Sequence, residues 1–333
     1  MTEQPYFMNP NFGSFGTYVV EDEGLHPSFK ASTGPDLTET HYFGFSVPEA
    51  SIHAILYAWH HPNLGAVSGG VNVFQGVKSH APGAEVSDYR YFMSDKTFIE
   101  DFPNYRLDNG YEVQMLEPGR KFRTTFRDDG RNSAFDVTHT AIHDPVVWPG
   151  DKHFEQVMKT EGELVLRGKR YAVAGYHVRD RSWGQPRPEN PFAVPPHSWM
   201  TAVFGDDLAF HLTATDDPAR DPIWKNVYPD FDGAQSVKFG WMIIDGQKTM
   251  IRSASKLTEY DRQTLMPKHS DILVVDERNK THRLRATIVA GTPMHYWHNT
   301  RIPICLARWE YEGRVGWGDF QDVQYPDFVL ANS

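Results

Sequence analysis

Turn signals recur along this chain at intervals too short for helices of ordinary length, and that spacing limits the fold more than any other feature. Short apolar runs fill the intervals: 42–47, 52–61, 67–74, 89–93, 111–116, 121–126 and 134–139. Pro48-Glu49-Ala50, Asp108-Asn109-Gly110, Glu117-Pro118-Gly119 and Asp128-Asp129-Gly130 stand between them. The run IHAILYAWHH has no decisive period, and its length and neighbours make it a strand. Past the Pro-rich stretch 185–196 the pattern resumes at 198–204, 208–215, 237–244, 249–254, 272–275, 283–289, 294–298, 305–311 and 315–321. No long amphipathic helix interrupts it. The spacing predicts an all-β protein, sandwich or barrel, with little helix. Residues 1–40, rich in Gly, Pro, Asn and Ser, read as an extended arm with a short strand at Thr17–Val20.

The chain is long enough for two ordinary domains, and its halves echo one another. FSVPEASIHAILYAW and AVFGDDLAFHLTATD both read strand, acidic turn, strand. GELVLRGKRYAVAGYHVRDRSWG and WEYEGRVGWGDFQDV both end in a strand carrying Trp-Gly. The expected division is therefore 1–190 and 191–333, with the linker in the Pro-rich stretch.

The segment from Glu161 to Gly184 opens as a hairpin turning at Gly168 and ends in an unusual run, Arg179-Asp180-Arg181-Ser182-Trp183-Gly184. Strand alternation puts Tyr176, Val178 and Asp180 on one face and His177, Arg179 and Arg181 on the other. The run reads either as an Arg-Asp surface pair with Trp183 as a core plug or as a carboxylate at the rim of a cavity, steered by the two guanidinium groups, that could serve as a general acid. If an arginine did pair with Asp180, Glu310 or Asp319 would be the better acid. The strand 52–61 shows a similar division. His53, Ile55, Tyr57, Trp59 and His61 share one face, and Ile52, Ala54, Leu56 and Ala58 share the other. The large face with polar tips suits the wall of a ligand cavity. Tyr176, Trp183, Trp297 and Trp309 are further aromatic candidates for that wall. Aromatic faces also stabilise a developing carbocation.

Several function classes are disfavoured. A net charge of −10 argues against nucleic acid and anionic membranes as partners. One cysteine, Cys305, excludes an internal disulfide framework, and its apolar surroundings read as a buried thiol. The 16 histidines include the close pairs His60-His61, His139 with His143 and His295 with His298, but no HExxH. Neither GxSxG nor GxGxxG is present, so no metal and no nucleotide cofactor is expected. The start MTEQPYFMNP has no basic apolar leader, and no apolar run reaches the ~20 residues of a membrane span. A cytoplasmic protein handling a lipophilic small molecule is the expectation.

The run RDRSWG after a Gly-Tyr strand resembles the Asp-X-X-Trp-Gly motif of the lipocalin-like superfamily of carotenoid 1,2-hydratase, AttH-type proteins and kievitone hydratase. The lead-in HFEQVMKTEGELVLRGKRY and the closing WEYEGRVGWGDFQDV are similar to the same family. The motif matches at Asp180, Trp183 and Gly184, while members commonly carry His where this chain has Arg181. The resemblance implies two tandem lipocalin-like β-domains packed side by side. It also implies cofactor-independent hydration of an isoprenoid-like or other lipophilic alkene, or a cyclisation of the kind in which relatives fold a polyene for a Diels–Alder reaction. A non-enzymatic carrier with the same pockets is the rival expectation.

Overall fold

A computed structural model describes residues 14–26, 37–97, 103–150, 152–186, 195–217, 220, 226–229, 231, 236–296 and 300–332. Of the linker expected at 185–196, residues 187–194 lie outside them, and 185–186 still belong to a strand. The described chain packs as two units. The first holds residues 14–75 and 84–186; the second holds 76–83 and the described residues from 195 onward.

The first unit is an open antiparallel sheet. Its strands are β1 (Leu37–Val47), β2 (Ile52–His61), β3 (Ala66–Gln75), β4 (Val86–Ser94), β5 (Tyr105–Arg106), β6 (Glu112–Glu117), β7 (Lys121–Asp128), β8 (Ser133–Ala141), β9 (Val146–Val147), β10 (His153–Leu166) and β11 (Lys169–Pro186). The order across the sheet is β4-β3-β2-β1-β11-β10-β8-β7-β6-β5, with β9 added beside β10. The β10–β11 hairpin turns at Arg167-Gly168, both at positive φ, the geometry a two-residue turn between twisted strands requires. On β7 and β8 alternate residues are inside: Phe122 and Phe126 on one, Phe135 and Val137 on the other. Opposite them, Arg123 and Asp136 face water as a cross-strand pair at 2.8 Å. β1 is buried on both faces throughout, and β2 nearly so, which explains why residues 52–61 lack a clean period. The small face of β2, Ile52, Ala54, Leu56 and Ala58, joins the core with Phe43, Phe45 and Met158.

The expected strand at Thr17–Val20 is not formed. Val20–Glu23 is instead a 3-10 turn whose start is tied by the Val19 N–H donating to the Asp22 carboxylate at 3.1 Å. That turn delivers Glu23 to the sheet interior. Arg179 on β11 donates to both Glu23 oxygens at 2.9 and 2.5 Å and to Gln156 Oε1 at 2.8 Å. Its guanidinium stacks over Phe122 at 4.3 Å. Two residues on, Arg181 donates to Glu39 Oε2 and to the Gly24 carbonyl, each at 2.6 Å. Both arginines and both glutamates are at most 1% exposed. The segment 18–26 is therefore strapped to β11 through buried charge.

Glu39 shows the electrostatics of the strap. Burial pushes its carboxyl up, but hydrogen bonds from His26 and Arg181 and the Arg181 charge outweigh that, taking it from 4.5 to about 2. A folded-state value below the unfolded one contributes stability above pH ~4.5, and that stability is lost as pH falls toward 2. An acid titration followed by circular dichroism should show this loss in the wild type. The dependence should be flattened in Glu39→Gln, which is also less stable at neutral pH.

The second unit is a closed eight-stranded antiparallel barrel in sequence order: β12 (His197–Gly205), β13 (Leu208–Thr215), β14 (Val237–Ile244), β15 (Gln247–Tyr260), β16 (Pro267–Asp276), β17 (Thr281–Met294), β18 (Ile302–Tyr311) and β19 (Arg314–Val323). Pairing of β19 with β12 closes it. A barrel of this size has an interior that side chains just fill. Here Trp309, Phe210, Phe320, Met200 and Leu212 fill it. A short helix, α1 (Pro326–Ala331), starts at a proline and seats Phe328 against Tyr260 at 5.1 Å. The all-β expectation holds.

Candidate active site

The face of the first sheet opposite its core carries most of the residues expected to bind substrate. Antiparallel partners share a face, so the register gives a cross-strand row: Tyr57 on β2, Tyr42 on β1, Asp180 on β11 and Glu155 on β10. Thr40 and Ser182 form the next pair along, their hydroxyls 2.6 Å apart. The rings connect into a patch. Tyr42 meets Tyr57 at 6.0 Å between centroids and His177 at 5.3 Å, and His177 meets His53 at 6.4 Å. Gly44 makes room for this approach, because a Cβ there would lie 2.6 Å from His177 Cε1 and 2.7 Å from the Ala54 carbonyl oxygen. Trp59 and His61 pack on each other at 4.4 Å. Most of the face is buried, but Tyr57, Tyr176 and Asp180 keep partial exposure. A small molecule arriving at this face would meet an aromatic surface and one accessible carboxylate.

Arg179 and Arg181 lie on the core side with Phe43, Phe122 and Phe154, occupied by Glu23 and Glu39. Strand alternation therefore separates Asp180 from both guanidinium groups. Glu155, beside Asp180, accepts Trp148 Nε1–H at 2.7 Å and contacts His153 Nε2 at 2.8 Å.

Other expected site residues lie elsewhere. Trp183 is on the Arg181 face, where it packs with Phe154 and Val147 and stacks on His26 at 4.7 Å; it is a core plug rather than a cavity wall. Trp309 is fully buried inside the barrel against Phe210 and Phe320, so it too is core. Glu310 points to solvent and pairs with Arg308, whose hydrogen bond and charge lower its carboxyl. That is opposite to what a general acid near neutral pH needs. Asp319 is buried on the outer face of β19, and its backbone N–H donates to Thr201 Oγ1 at 3.0 Å. It shares a cross-strand row with Thr201 and His211 in the second unit. Trp297 lies outside the described residues.

Tyr42, His177 and Glu155 belong to the patch and were not singled out by sequence. Alternation along HYFGFSV would have found Tyr42, and the Glu155 position sits inside the lead-in HFEQV. His177 escapes that logic, because alternation assigns it to the arginine face. Of the close histidine pairs, His60 bonds Asp95 at 3.1 Å while His61 turns to Trp59. Among the described residues no group of three or more His, Cys, Asp or Glu is placed to hold a metal ion. Among them, too, no helix is long and apolar enough to cross a membrane.

Solved structures share this arrangement over nearly the whole chain. Kievitone hydratase from Nectria haematococca is 13% identical with a TM-score of 0.52, over 97% of this chain and 99% of that one. CghA, solved with Sch210972, is 12% identical with a TM-score of 0.53, over 88% and 89%. A putative AttH from Nitrosomonas europaea is 11% identical with a TM-score of 0.53, over 94% and 98%. The fold is thus the lipocalin-like β architecture of the hydratase and AttH structures, and at these identities the likeness is one of fold. More narrowly, the chain belongs to the family described as a domain of unknown function, DUF7064, whose model matches residues 20–325. No curated protein matches the sequence.

Proposed function

We propose that the protein is a cofactor-independent hydro-lyase or cyclase for a lipophilic alkene, isoprenoid-like in character, with Asp180 as the proton donor. The observation that carries this is the row Tyr57–Tyr42–Asp180, a partly exposed carboxylate set among aromatic rings on the face away from the arginines. The fold shared with a hydratase supports the reaction class. The chemistry balances without a cofactor. Asp180 in its acid form gives its proton to one alkene carbon, and the π pair becomes the new C–H bond. The adjacent carbon becomes cationic and is stabilised by the Tyr42 and Tyr57 faces. Water adds there and returns a proton to the carboxylate, or a second double bond closes a ring and the new cation loses a proton to the carboxylate.

The test is incubation with a panel of prenylated phenols and linear isoprenoids in ¹⁸O-water, read by mass spectrometry. A hydration product of the wild type should carry the label, and a cyclisation product should appear as an unlabelled isomer of the substrate. Asp180→Asn keeps the shape and removes the proton, so turnover should fall roughly 10²–10⁴-fold with little change in melting temperature. Undiminished turnover in that variant would remove Asp180 from the chemistry. A tightly held lipophile in native mass spectra, with no turnover of any panel member, would make the protein a carrier.

A further inference from the structure

Asp180 has a second carboxylate directly opposite it. Glu155 on β10 is its cross-strand partner and so shares its face of the sheet. The Cβ atoms of such a pair lie about 4.5–5.5 Å apart, and like charges there repel. The proposed reaction gives Glu155 no part, although its side chain is fully buried beside the proton donor.

The two carboxylates are held differently. Trp148 Nε1–H donates to both Glu155 oxygens, at 2.7 and 2.8 Å, and His153 Nε2 lies 2.8 Å from Oε1. These two donors are fixed by the backbone: the Trp148 N–H donates to the His153 carbonyl at 2.8 Å, just past the pairing of β9 with β10. Their rings then pack edge to face at 4.5 Å. An indole nitrogen only donates, so this shell favours the ionised form of Glu155. Asp180 instead keeps partial exposure, in the row with the Tyr42 and Tyr57 rings. Other titratable groups toward this face, among the described residues, are Tyr176 on β11, His177 against Tyr42, and Lys159 on β10, which pairs with Glu161 at 3.0 Å. Arg179 and Arg181 lie on the opposite face, bonded to Glu23 and Glu39. Facing carboxylates in unequal surroundings settle a proton on the less stabilised anion, here the outer one.

We infer that Glu155 is a positioning residue for the proton, its fixed negative charge keeping the one proton of the pair on Asp180. The role rests on the reading of Asp180 as the donor; the test does not. The full chain, carrying ¹³C-carboxyl aspartate and glutamate, is titrated by NMR, and the two signals are assigned by their loss in Asp180→Asn and Glu155→Gln. In the wild type Asp180 should hold its proton to higher pH than Glu155. Glu155→Gln should lower the Asp180 midpoint by about one pH unit or more. Trp148→Phe keeps the Glu155 charge but removes its donor, so Glu155 competes for the proton and the Asp180 midpoint should fall again. That variant carries the test if Glu155→Gln does not fold. A purely structural Glu155 would lower the melting temperature and leave the Asp180 midpoint in place. That result, or a wild-type Glu155 that takes up its proton before Asp180 on acidification, overturns the inference. Undiminished turnover in Asp180→Asn would instead end the proposed reaction and leave this titration standing.

Discussion

Arg179→Met should cost about 3–5 kcal/mol of stability, although methionine keeps an unbranched apolar stem beside Phe122 and Phe154. The loss comes from the partner left behind. Glu23 is 1% exposed and would lose both guanidinium bonds, keeping the Tyr18 hydroxyl at 3.0 Å. Gln156 would lose a donor as well. Burying a carboxylate without its counter-charge is far more costly than burying the pair. A companion variant identifies the cause. Glu23→Met with Arg179→Met removes both charges, and most of the stability should return, because a paired ion and a packed apolar pair of like volume come out nearly equal. Urea denaturation of the two variants and the wild type checks this. If the double variant is as damaged as the single one, the strap acts through shape rather than charge.

Lys256→Met should have an effect of the same size in the other unit, about 3–5 kcal/mol. Lys256 is fully buried and donates to Asp216 Oδ1 at 2.7 Å and to the Thr258 hydroxyl at 2.8 Å. Tyr260 links Asp216 to a second buried carboxylate, Asp322, with contacts of 3.0 and 3.1 Å. A hydroxyl has one proton to donate, so Tyr260 cannot satisfy two ionised carboxylates at once. Removing the lysine leaves Asp216 without its directly paired cation. Burial already pushes the Asp216 carboxyl above its ordinary value, against the lowering effect of Lys256. Without Lys256 it rises further. A raised folded-state value makes the protonated form the stable one, so stability is retained at low pH and lost as pH rises through the folded value. The defect of Lys256→Met should therefore shrink as the solution is acidified, and a series of melts across pH reads it directly. A defect independent of pH would point to lost packing against Phe320, which the ammonium approaches at 5.7 Å.

Much of the fold was legible because the informative signals are local. Turn chemistry such as Arg167-Gly168, and the strict alternation on β7 and β8, depend only on neighbours in sequence. The same alternation separated Asp180 from Arg179 and Arg181. The candidate site was less legible, because strand position does not reveal what covers a face. Trp183 and Trp309 have the residue type of a cavity wall, yet one faces the strap and the other fills a barrel. Glu310 sits at the end of β18 while Asp180 lies well inside β11, and Arg308, two residues back on the same face, marks Glu310 as an ordinary surface carboxylate. The strap itself was invisible. Its partners are separated by 156 residues for Glu23 and Arg179, and nothing in VEDEG announces a buried glutamate.

The difference between the two sheets bears on self-association through sheet edges. The closed barrel has no free edge, whereas the first sheet ends on β4 and on the two-residue β5. Edge strands offer unpaired backbone groups on which another chain can polymerise. On the β4 side Phe92 stands at φ 53°, the register slips between Val67 and Gly69, and the Phe92 N–H is diverted to the Ser68 hydroxyl at 3.2 Å. A strand broken in this way cannot template a continuous ladder, even though Tyr91 and Phe92 present 47% and 57% of their surface to solvent. The kink acts as a gatekeeper, allowing sticky side chains on the rim without making the rim a seed for β-aggregation.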